Sequence, residues 1–249
     1  MPEAKPYAVF DVDGTIFKSS LLEKVIDSSI QGGLMPAAPF NDAYRIRRNW
    51  QRFNNEGTYR AYIDSLVGAF AAQVAGISVE RFQIVSQEML ETQKDRMLAF
   101  PRKLIRELKA SHYFIALSGS PQILVEPFLE ELGFDEVKGT DYEFKGGKFT
   151  GKFEPIPDKG KYLENLVERG VVSKLGSVAV GDTSGDISML RHTDHPVMFN
   201  AAKVLVDYGE QFGWPQVGEV KDRVTVLTSD EENVYRKVDL GDFLASLRS

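Results

Sequence analysis

Four short apolar segments, each followed by turn-forming residues, set the strongest limit on how this chain folds. They are YAVF before Asp11, HYFIAL before Ser118, SVAV before Gly181 and PVMF before Asn200. Continuous apolar runs of this length are typical of strands in a parallel sheet that is covered on both faces. Helical patterns lie between them and open at Pro101, Pro121 and Lys159. The alternation predicts an α/β fold with a doubly wound parallel sheet.

Residues 18–98 interrupt this alternation. They form successive amphipathic helical patterns with no convincing strand. Two apolar stripes recur at helical spacing: Tyr59, Tyr62, Ile63, Leu66 and Phe70 in one, and Ile46, Trp50 and Phe53 in the other. We therefore expect a sheet-based core of residues 1–17 and 99–249, with residues 18–98 inserted as an all-helical domain.

Two further stretches predict local structure. Aromatic residues alternate around Gly146-Gly147 in residues 141–153, a pattern that favours a β-hairpin. The last part of the chain contains Trp214 and the segment VTVLT. We expect it to complete the edge of the sheet and to end in a helix.

Composition excludes several classes of protein. The 249 residues contain no cysteine, so disulfide frameworks, zinc–thiolate sites and cysteine nucleophiles are ruled out. No apolar run approaches the roughly 18–20 residues that span a bilayer. The N-terminus, MPEAKPYAVF, lacks the pattern of a secretory signal, so we expect a cytoplasmic protein without a membrane partner. A net charge of −6 argues against nucleic acid as the main partner. The sequence does not indicate an oligomeric state.

The segment FDVDGTIF, residues 10–17, is the clearest chemical motif. Side chains two apart on a strand lie about 6.6 Å apart on one face, so Asp11 and Asp13 leave the first strand together. The Val12 carbonyl lies between them, and Gly14 permits a tight turn. Two adjacent carboxylates repel each other unless a cation or shared proton relieves them, and Mg²⁺ prefers such oxygen ligands. A plain turn remains an alternative for the motif alone.

A calcium-binding loop is a poorer interpretation of the same motif. Such a loop needs an acidic or amide ligand at its fifth position and Glu at its twelfth. Thr15 and Leu22 occupy these positions here. The motif therefore does not predict a calcium site.

Three more features follow the motif in the sequence. Ser118-Gly119 closes the second predicted strand before a helix, where a hydroxyl and free N–H groups form an anion site. Asp182 and Asp186 follow another strand, at a spacing that can direct both carboxylates to one point. Lys159 begins a helix and can supply a fixed positive charge. Each feature alone is more often structural than functional, so their order in the chain is what matters.

The ordered motifs FDVDGT, ALSGS, DKGK and VGDTSGDISML resemble those of the haloacid dehalogenase superfamily. Within it, the chain is most similar to the phosphoserine phosphatase-like branch, which has a helical C1-type cap. The resemblance implies a Rossmann-like core under an inserted helical cap. It also implies hydrolysis of a small-molecule phosphomonoester through an aspartyl-phosphate, with Mg²⁺ as cofactor.

The resemblance also implies roles for individual residues. Asp11 corresponds to the nucleophile and Asp13 to the general acid and base. The phosphate ligands correspond to Ser118, Gly119 and Lys159, with Lys161 as a second choice for the lysine. The metal ligands correspond to Asp11, the Val12 carbonyl and Asp182, with Asp186 supporting the metal site or Lys159.

The chain departs from the family pattern in three places. Gly185 stands where the metal-binding loop commonly carries Asn. Ser20 replaces the Glu that holds the ammonium of phosphoserine, and an ungapped match puts Gly68 in place of the Arg for its carboxylate. We therefore expect a substrate other than phosphoserine.

Residues of the insertion are the candidates for recognising the leaving group. The specificity candidates are Ser20, Glu23, Arg45 and Arg48, although Arg45, Arg48 and Arg52 also suit a solvated outer face. The open alternatives are a phosphotransferase of the same family, a phosphorylatable signalling receiver and a catalytically weak interaction module. The long insertion and the Asp182–Asp186 loop argue against a receiver.

Overall fold

A computed structural model describes residues 4–53, 56–221 and 223–248. Its strands form one nine-stranded sheet in the order β4-β3-β2-β1-β5-β6-β7-β8-β9. The strands are β1 (Pro6–Phe10), β2 (Tyr113–Pro121), β3 (Glu136–Lys145), β4 (Lys148–Glu154), β5 (Ser173–Gly181), β6 (His195–Phe199), β7 (Gln216–Val220), β8 (Arg223–Ser229) and β9 (Tyr235–Val238). All four apolar segments of the sequence lie in strands of this sheet, except that His112 of the second segment precedes β2.

The α-helices lie between and after these strands. They are α1 (Leu21–Gln31), α2 (Asn41–Phe53), α3 (Glu56–Val74), α4 (Val79–Gln93), α5 (Ala99–Leu108), α6 (Gln122–Leu129), α7 (Lys159–Glu168), α8 (Ile187–Arg191), α9 (Lys203–Gly209) and α10 (Leu240–Ser246). The predicted α/β class is confirmed.

The sheet is mixed, and its parallel centre is doubly wound. Strands β3, β2, β1, β5, β6 and β7 run parallel, whereas β4, β8 and β9 are antiparallel additions at the two edges. The chain moves from β1 to β2 in one direction and later returns to β5 on the other side of β1. Strand order therefore reverses at β1, and the carboxyl ends of strands beside such a switch point form a ligand crevice.

Helices α1 to α4 occupy the predicted insertion between β1 and β2. Tyr62, Leu66 and Phe70 of α3 are buried, so this predicted stripe is a packing surface. They belong to the same hydrophobic cluster as Phe10 of β1 and Phe114 of β2. The side chain of Phe53, in the second predicted stripe, lies outside the described residues. Because one cluster joins sheet and insertion, the division into two domains stays a prediction.

The predicted hairpin is present as β3 and β4, and it fastens the insertion to the sheet. Gly146 and Gly147 both have positive φ at its turn, a conformation that glycine adopts without strain. Phe149 of β4 donates its N–H to the Ile77 carbonyl at 3.0 Å and accepts from Gly76 N–H at 2.8 Å. The ring of Phe149 also packs edge-on against Phe82 of α4, with centroids 5.2 Å apart.

The helix predicted to open at Pro101 begins two residues earlier. The Glu219 carboxylate accepts hydrogen bonds from the Ala99 and Phe100 amides at 2.9 and 2.8 Å. It thereby satisfies N–H groups that a helix start leaves unpaired. Strand β8 contains the VTVLT segment and α10 follows it, as expected for the end of the chain. Within the described ranges, no helix has the length and apolarity needed to cross a bilayer.

Phe149→Ala tests the contact between hairpin and insertion. Phe149 is 4% exposed, and removing a buried phenylalanine ring costs about 3–5 kcal/mol. We expect a loss of this size in the free energy of unfolding, measured by equilibrium urea denaturation. Phe144→Ala on the same hairpin is the control, because Phe144 is 61% exposed and should change the free energy by less than about 1 kcal/mol. Equal losses in both variants would contradict the packing described here.

Candidate active site

Four separate segments meet at the carboxyl ends of β2, β1 and β5. Asp11 and Asp13 follow β1, Ser118 lies in β2, and Lys159 is the first residue of α7. The fourth segment, Asp182 to Asp186, follows β5. The structure brings all the predicted catalytic and metal-binding carboxylates to one edge of the sheet, at the strand-order switch.

Lys159 connects three of these segments. Its Nζ lies 2.6 Å from Asp11 Oδ1 and 2.7 Å from Asp186 Oδ1, and its side chain is 11% exposed. Asp158 caps α7 by accepting from the Lys161 amide at 3.0 Å, which fixes the helix start next to the carboxylates. Lys161 itself is exposed. Lys159, rather than Lys161, therefore faces the carboxylates.

Asp13 is held by two hydrogen bonds from different elements. Its Oδ1 accepts from the Leu21 amide at 2.6 Å, and its Oδ2 accepts from the Ser118 hydroxyl at 2.8 Å. Ser118 Oγ in turn accepts from the Ser120 amide at 3.0 Å, and Ser120 Oγ accepts from the Leu22 amide at 3.2 Å. The first turn of α1 therefore orients Asp13 together with β2.

The secondary structure around Ser118 differs from the one predicted. Strand β2 continues to Pro121, and α6 begins only at Gln122. Ser118 and Gly119 therefore lie within the strand and not at a helix N-terminus. Ser118 is buried, whereas Gly119 is exposed. The sequence pattern predicted a helix that begins at Pro121, but Pro121 belongs to β2 and pairs with Thr140 of β3.

Asp186 orients the loop that carries Asp182. Its Oδ2 accepts from the Asp182 and Thr183 amides at 3.1 and 3.0 Å. Asp182 Oδ1 accepts from the Thr15 hydroxyl at 3.2 Å, which ties this loop to the first motif. Gly14, with φ +91°, has no room for a side chain, since a Cβ there would lie 2.2 Å from Asp182 Oδ2. The two loops are therefore closely packed.

Burial determines the charge state of the cluster. It raises the pKa of Asp11 to about 8, although the Lys159 ammonium lowers it. Burial also raises the pKa of Asp13 and of Asp182. It lowers the pKa of Lys159, but the Asp11 and Asp186 carboxylates outweigh this effect and the net pKa is raised. The lysine therefore stays charged among carboxylates whose negative charge is costly to bury.

The cluster has the composition of a site for a hard divalent cation. Asp11, Asp182 and Asp186 each offer a carboxylate oxygen, and these oxygens lie within 4.8 Å of one another. Lys159 supplies one positive charge beside three carboxyl groups, and a divalent cation would stabilise the ionised forms of Asp11 and Asp182, whose pKa values burial raises. Oxygen donors of this kind suit Mg²⁺. Gly185, in the same loop, is exposed and adds no side-chain ligand.

A cavity of about 550 Å³ opens beside Asp13 and Asp182. The insertion contributes most of its wall through Ser20, Glu23, Arg47, Trp50, Gln51, Tyr59 and Tyr62. Ser20 also caps α1, accepting from the Glu23 amide at 3.3 Å. Two of the predicted specificity candidates, Ser20 and Glu23, therefore face this cavity.

The other two candidates lie elsewhere. Arg45 and Arg48 are exposed and are absent from the cavity lining, and Arg45 pairs with Asp42 at 3.2 Å. The prediction missed Arg47, whose Nη1 lies 2.7 Å from Glu23 Oε1. Arg47, Trp50 and Gln51 share one helical face by their spacing of three and four residues, but the spacing alone does not show that this face turns to the cavity. Gly68 is exposed and does not line the cavity either.

Comparison with known proteins agrees with this geometry. The family model of haloacid dehalogenase-like hydrolases matches residues 8–191. A phosphoserine phosphatase of Archaeoglobus fulgidus is 30% identical over 114 residues, which cover 44% of this chain and 33% of the relative. The phosphoserine phosphatase SerB2 of Mycobacterium tuberculosis is 26% identical over 208 residues, covering 81% and 46%. The chain thus spans half or less of the length of these curated relatives.

A solved structure supports the fold. The structure of a phospho-aspartyl intermediate analogue of phosphoserine phosphatase superposes with a TM-score of 0.58 at 22% identity, covering 82% of this chain and 91% of that one. The family match spans more than half of the chain and includes every segment that forms the carboxylate–lysine cluster. The chain belongs to the haloacid dehalogenase-like hydrolase family and is similar to its phosphoserine phosphatases.

Proposed function

We propose that this protein is a Mg²⁺-dependent phosphomonoester hydrolase that acts on a small phosphorylated metabolite through an aspartyl-phosphate intermediate. The observation that carries this proposal is the arrangement around Asp11. Its carboxylate lies against a buried ammonium, while a second carboxylate, Asp13, is fixed nearby by two hydrogen bonds. This is the pairing that a nucleophile and a proton donor require.

The reaction proceeds in two displacements. Asp11 attacks phosphorus in line, the ester P–O bond breaks, and a protonated Asp13 gives its proton to the leaving alkoxide. Asp13 then takes a proton from water as the water attacks the aspartyl-phosphate, which releases inorganic phosphate and restores Asp11. The raised pKa of Asp13 suits a carboxyl that must begin protonated. Ser118, the Gly119 amide and Lys159 bind the phosphoryl oxygens.

Residues of the same cluster would hold the cation. We assign this role to the Asp11 carboxylate, the Val12 carbonyl and the Asp182 carboxylate, with Asp186 orienting the loop and Lys159. When bound, Mg²⁺ would neutralise the charge that develops on the phosphoryl group. The hydrogen bonds that Asp186 makes to the Asp182 and Thr183 amides support its orienting role.

The helical insertion 18–98 would act as a cap that recognises the leaving group. Its residues line the cavity beside Asp13, and the core supplies the phosphate and metal ligands. We further propose, from composition alone, a cytoplasmic location.

Some observations support the prediction that phosphoserine is not the substrate, and others argue against it. Ser20 caps α1 in the place where phosphoserine phosphatases carry a substrate-binding Glu. Glu23 and Arg47, however, put one carboxylate and one guanidinium into the cavity wall, and the relatives carry the name phosphoserine phosphatase. We retain a phosphomonoester other than phosphoserine as the proposed substrate.

Asp11→Asn should abolish turnover, and Asp13→Ala should slow it by about 10²–10⁴-fold, because each removes a group that reacts in the proposed mechanism. The measurement is hydrolysis of p-nitrophenyl phosphate with and without Mg²⁺, with vanadate or beryllofluoride as inhibitors. Lys161→Met is the control, since Lys161 is exposed beside the site. Ordinary turnover by purified Asp11→Asn would refute the nucleophile. If the wild type shows no metal-dependent turnover, the protein is better explained as an interaction module. If it transfers the phosphoryl group to added alcohols, it is a phosphotransferase.

Gly14→Ala tests the packing of the two loops. The new Cβ would collide with the Asp182 carboxylate, and the residue would also be strained at φ +91°. We expect the Mg²⁺ concentration for half-maximal activity to rise about tenfold or more, because displacing groups around metal ligands costs 10–100-fold in affinity. Gly185→Ala is the control, since the nearest atom to its Cβ would be at an ordinary 3.5 Å. An unchanged Mg²⁺ requirement in Gly14→Ala would contradict the assignment of Asp182.

A further inference from the structure

One wall of the cavity beside Asp13 is formed by aromatic, amide and paired charged side chains that lie outside the carboxylate–lysine cluster. We call it the leaving-group wall and define it by Glu23, Arg47, Trp50, Gln51, Tyr59 and Tyr62. The described charged residues at the rim of the same cavity are Lys18 and Lys203, both exposed, and Lys203 pairs with Asp207 at 2.6 Å. What the wall recognises is decided by the groups that lie deeper.

The two deep charges of the wall are directed at each other. Arg47 Nη1 lies 2.7 Å from Glu23 Oε1, and the Tyr62 hydroxyl donates to Glu23 Oε2 at 2.7 Å. Glu23 is 4% exposed. The Arg47 side chain, in contrast, is 31% exposed. A carboxylate on the leaving group that drew Arg47 away would leave the buried Glu23 carboxylate without this partner, which is strongly unfavourable. An ammonium would be repelled by the Arg47 guanidinium. The wall therefore disfavours an ammonium or a carboxylate on the substrate.

The same pair retains hydrogen-bonding capacity. Glu23 Oε1 is buried against Arg47 Nη1, so the member of the pair that is open to the cavity is the partly exposed guanidinium. Arg47 carries five N–H donors in a planar fork. A hydroxyl can accept from the N–H groups of Arg47 that Glu23 leaves unpaired, whereas an ammonium has no acceptor to offer them. The Glu23–Arg47 pair thus suits neutral hydroxyl groups.

Aromatic and amide groups complete the wall. The rings of Trp50 and Tyr59 lie with centroids 4.8 Å apart, and Tyr59 lies 6.3 Å from Tyr62. These rings offer flat apolar surface to the C–H bonds of a carbon chain or ring, and Gln51 offers both a donor and an acceptor. A cavity of about 550 Å³ lies within the usual size of small-molecule sites.

We propose that the leaving-group wall binds a neutral, polyhydroxylated leaving group, so that the substrate is the phosphate ester of a sugar or polyol. The Glu23–Arg47 pair would bind adjacent hydroxyls, and the Trp50–Tyr59 rings would cover the carbon skeleton. This inference rests on the proposed phosphatase function and extends it to the substrate.

The test compares three-carbon phosphate esters of matched size on the wild type. Glycerol 3-phosphate carries two hydroxyls, propyl phosphate carries none, and L-phosphoserine carries an ammonium and a carboxylate. We expect kcat/KM for glycerol 3-phosphate or for a hexose 6-phosphate to exceed that for both other esters by about a hundredfold, because a site built for hydroxyls rejects analogues that lack them. A preference for L-phosphoserine or for propyl phosphate would overturn the inference while leaving the phosphatase proposal intact.

Variants then locate the preference in the wall. Glu23→Gln should reduce the ratio of kcat/KM for glycerol 3-phosphate over propyl phosphate by about tenfold or more. Gln51→Ala, at an exposed position of the same wall, should lower this ratio too. It replaces Glu23→Gln as the test if thermal melting shows that Glu23→Gln is not folded. Arg48→Met is the matched control on α2, because Arg48 is exposed outside the cavity.

Two results would go against the inference in different ways. An unchanged ratio in both folded wall variants would overturn the assignment of the wall. Absence of Mg²⁺-dependent hydrolysis of p-nitrophenyl phosphate by the wild type would overturn the proposed function, and this inference with it.

Discussion

The buried ammonium of Lys159 is the interaction on which the rest of the site depends. It lies between Asp11, which follows β1, and Asp186, which follows β5, while its own residue begins α7. Burying carboxylates without a partner is strongly unfavourable, so this cation permits the ends of two adjacent strands to bring their acidic groups together. One ammonium does not pair with every carboxyl group of the cluster, and a divalent cation is suited to stabilise the ionised forms of the others.

Sheet order and loop packing place the remaining groups around that ion pair. The strand order reverses at β1, so the end of β1 lies open between β2 and β5. Gly14 lets the first motif turn directly against Asp182, and Asp186 holds the amides of that loop. The insertion enters the site through the Leu21 amide on Asp13. The Asp13 carboxyl group and the wall of the cavity are therefore connected at the start of α1.

Local signals in the sequence predicted most of the fold. Apolar runs predicted the central strands, and the pair of adjacent glycines predicted the turn between β3 and β4. The start of α5 could not be predicted, because its first amides donate hydrogen bonds to the carboxylate of Glu219, which is 120 positions away in the chain. Ser118 was placed at a helix start for a related reason: the continuation of β2 to Pro121 depends on pairing with Thr140. Arg47 was missed because charge on a helix face does not show which face turns inward.

The mechanism we propose requires Asp11 to receive the phosphoryl group in a site completed by Mg²⁺. A crystal structure of the protein grown with Mg²⁺ and beryllofluoride tests it directly, since beryllofluoride forms a stable mimic of an acyl-phosphate on the reacting carboxylate. We predict beryllofluoride joined to a carboxylate oxygen of Asp11, contacted by Ser118 and Lys159, with Mg²⁺ between Asp11 and Asp182. Beryllofluoride on a different carboxylate, or Mg²⁺ held away from Asp182, would contradict this mechanism.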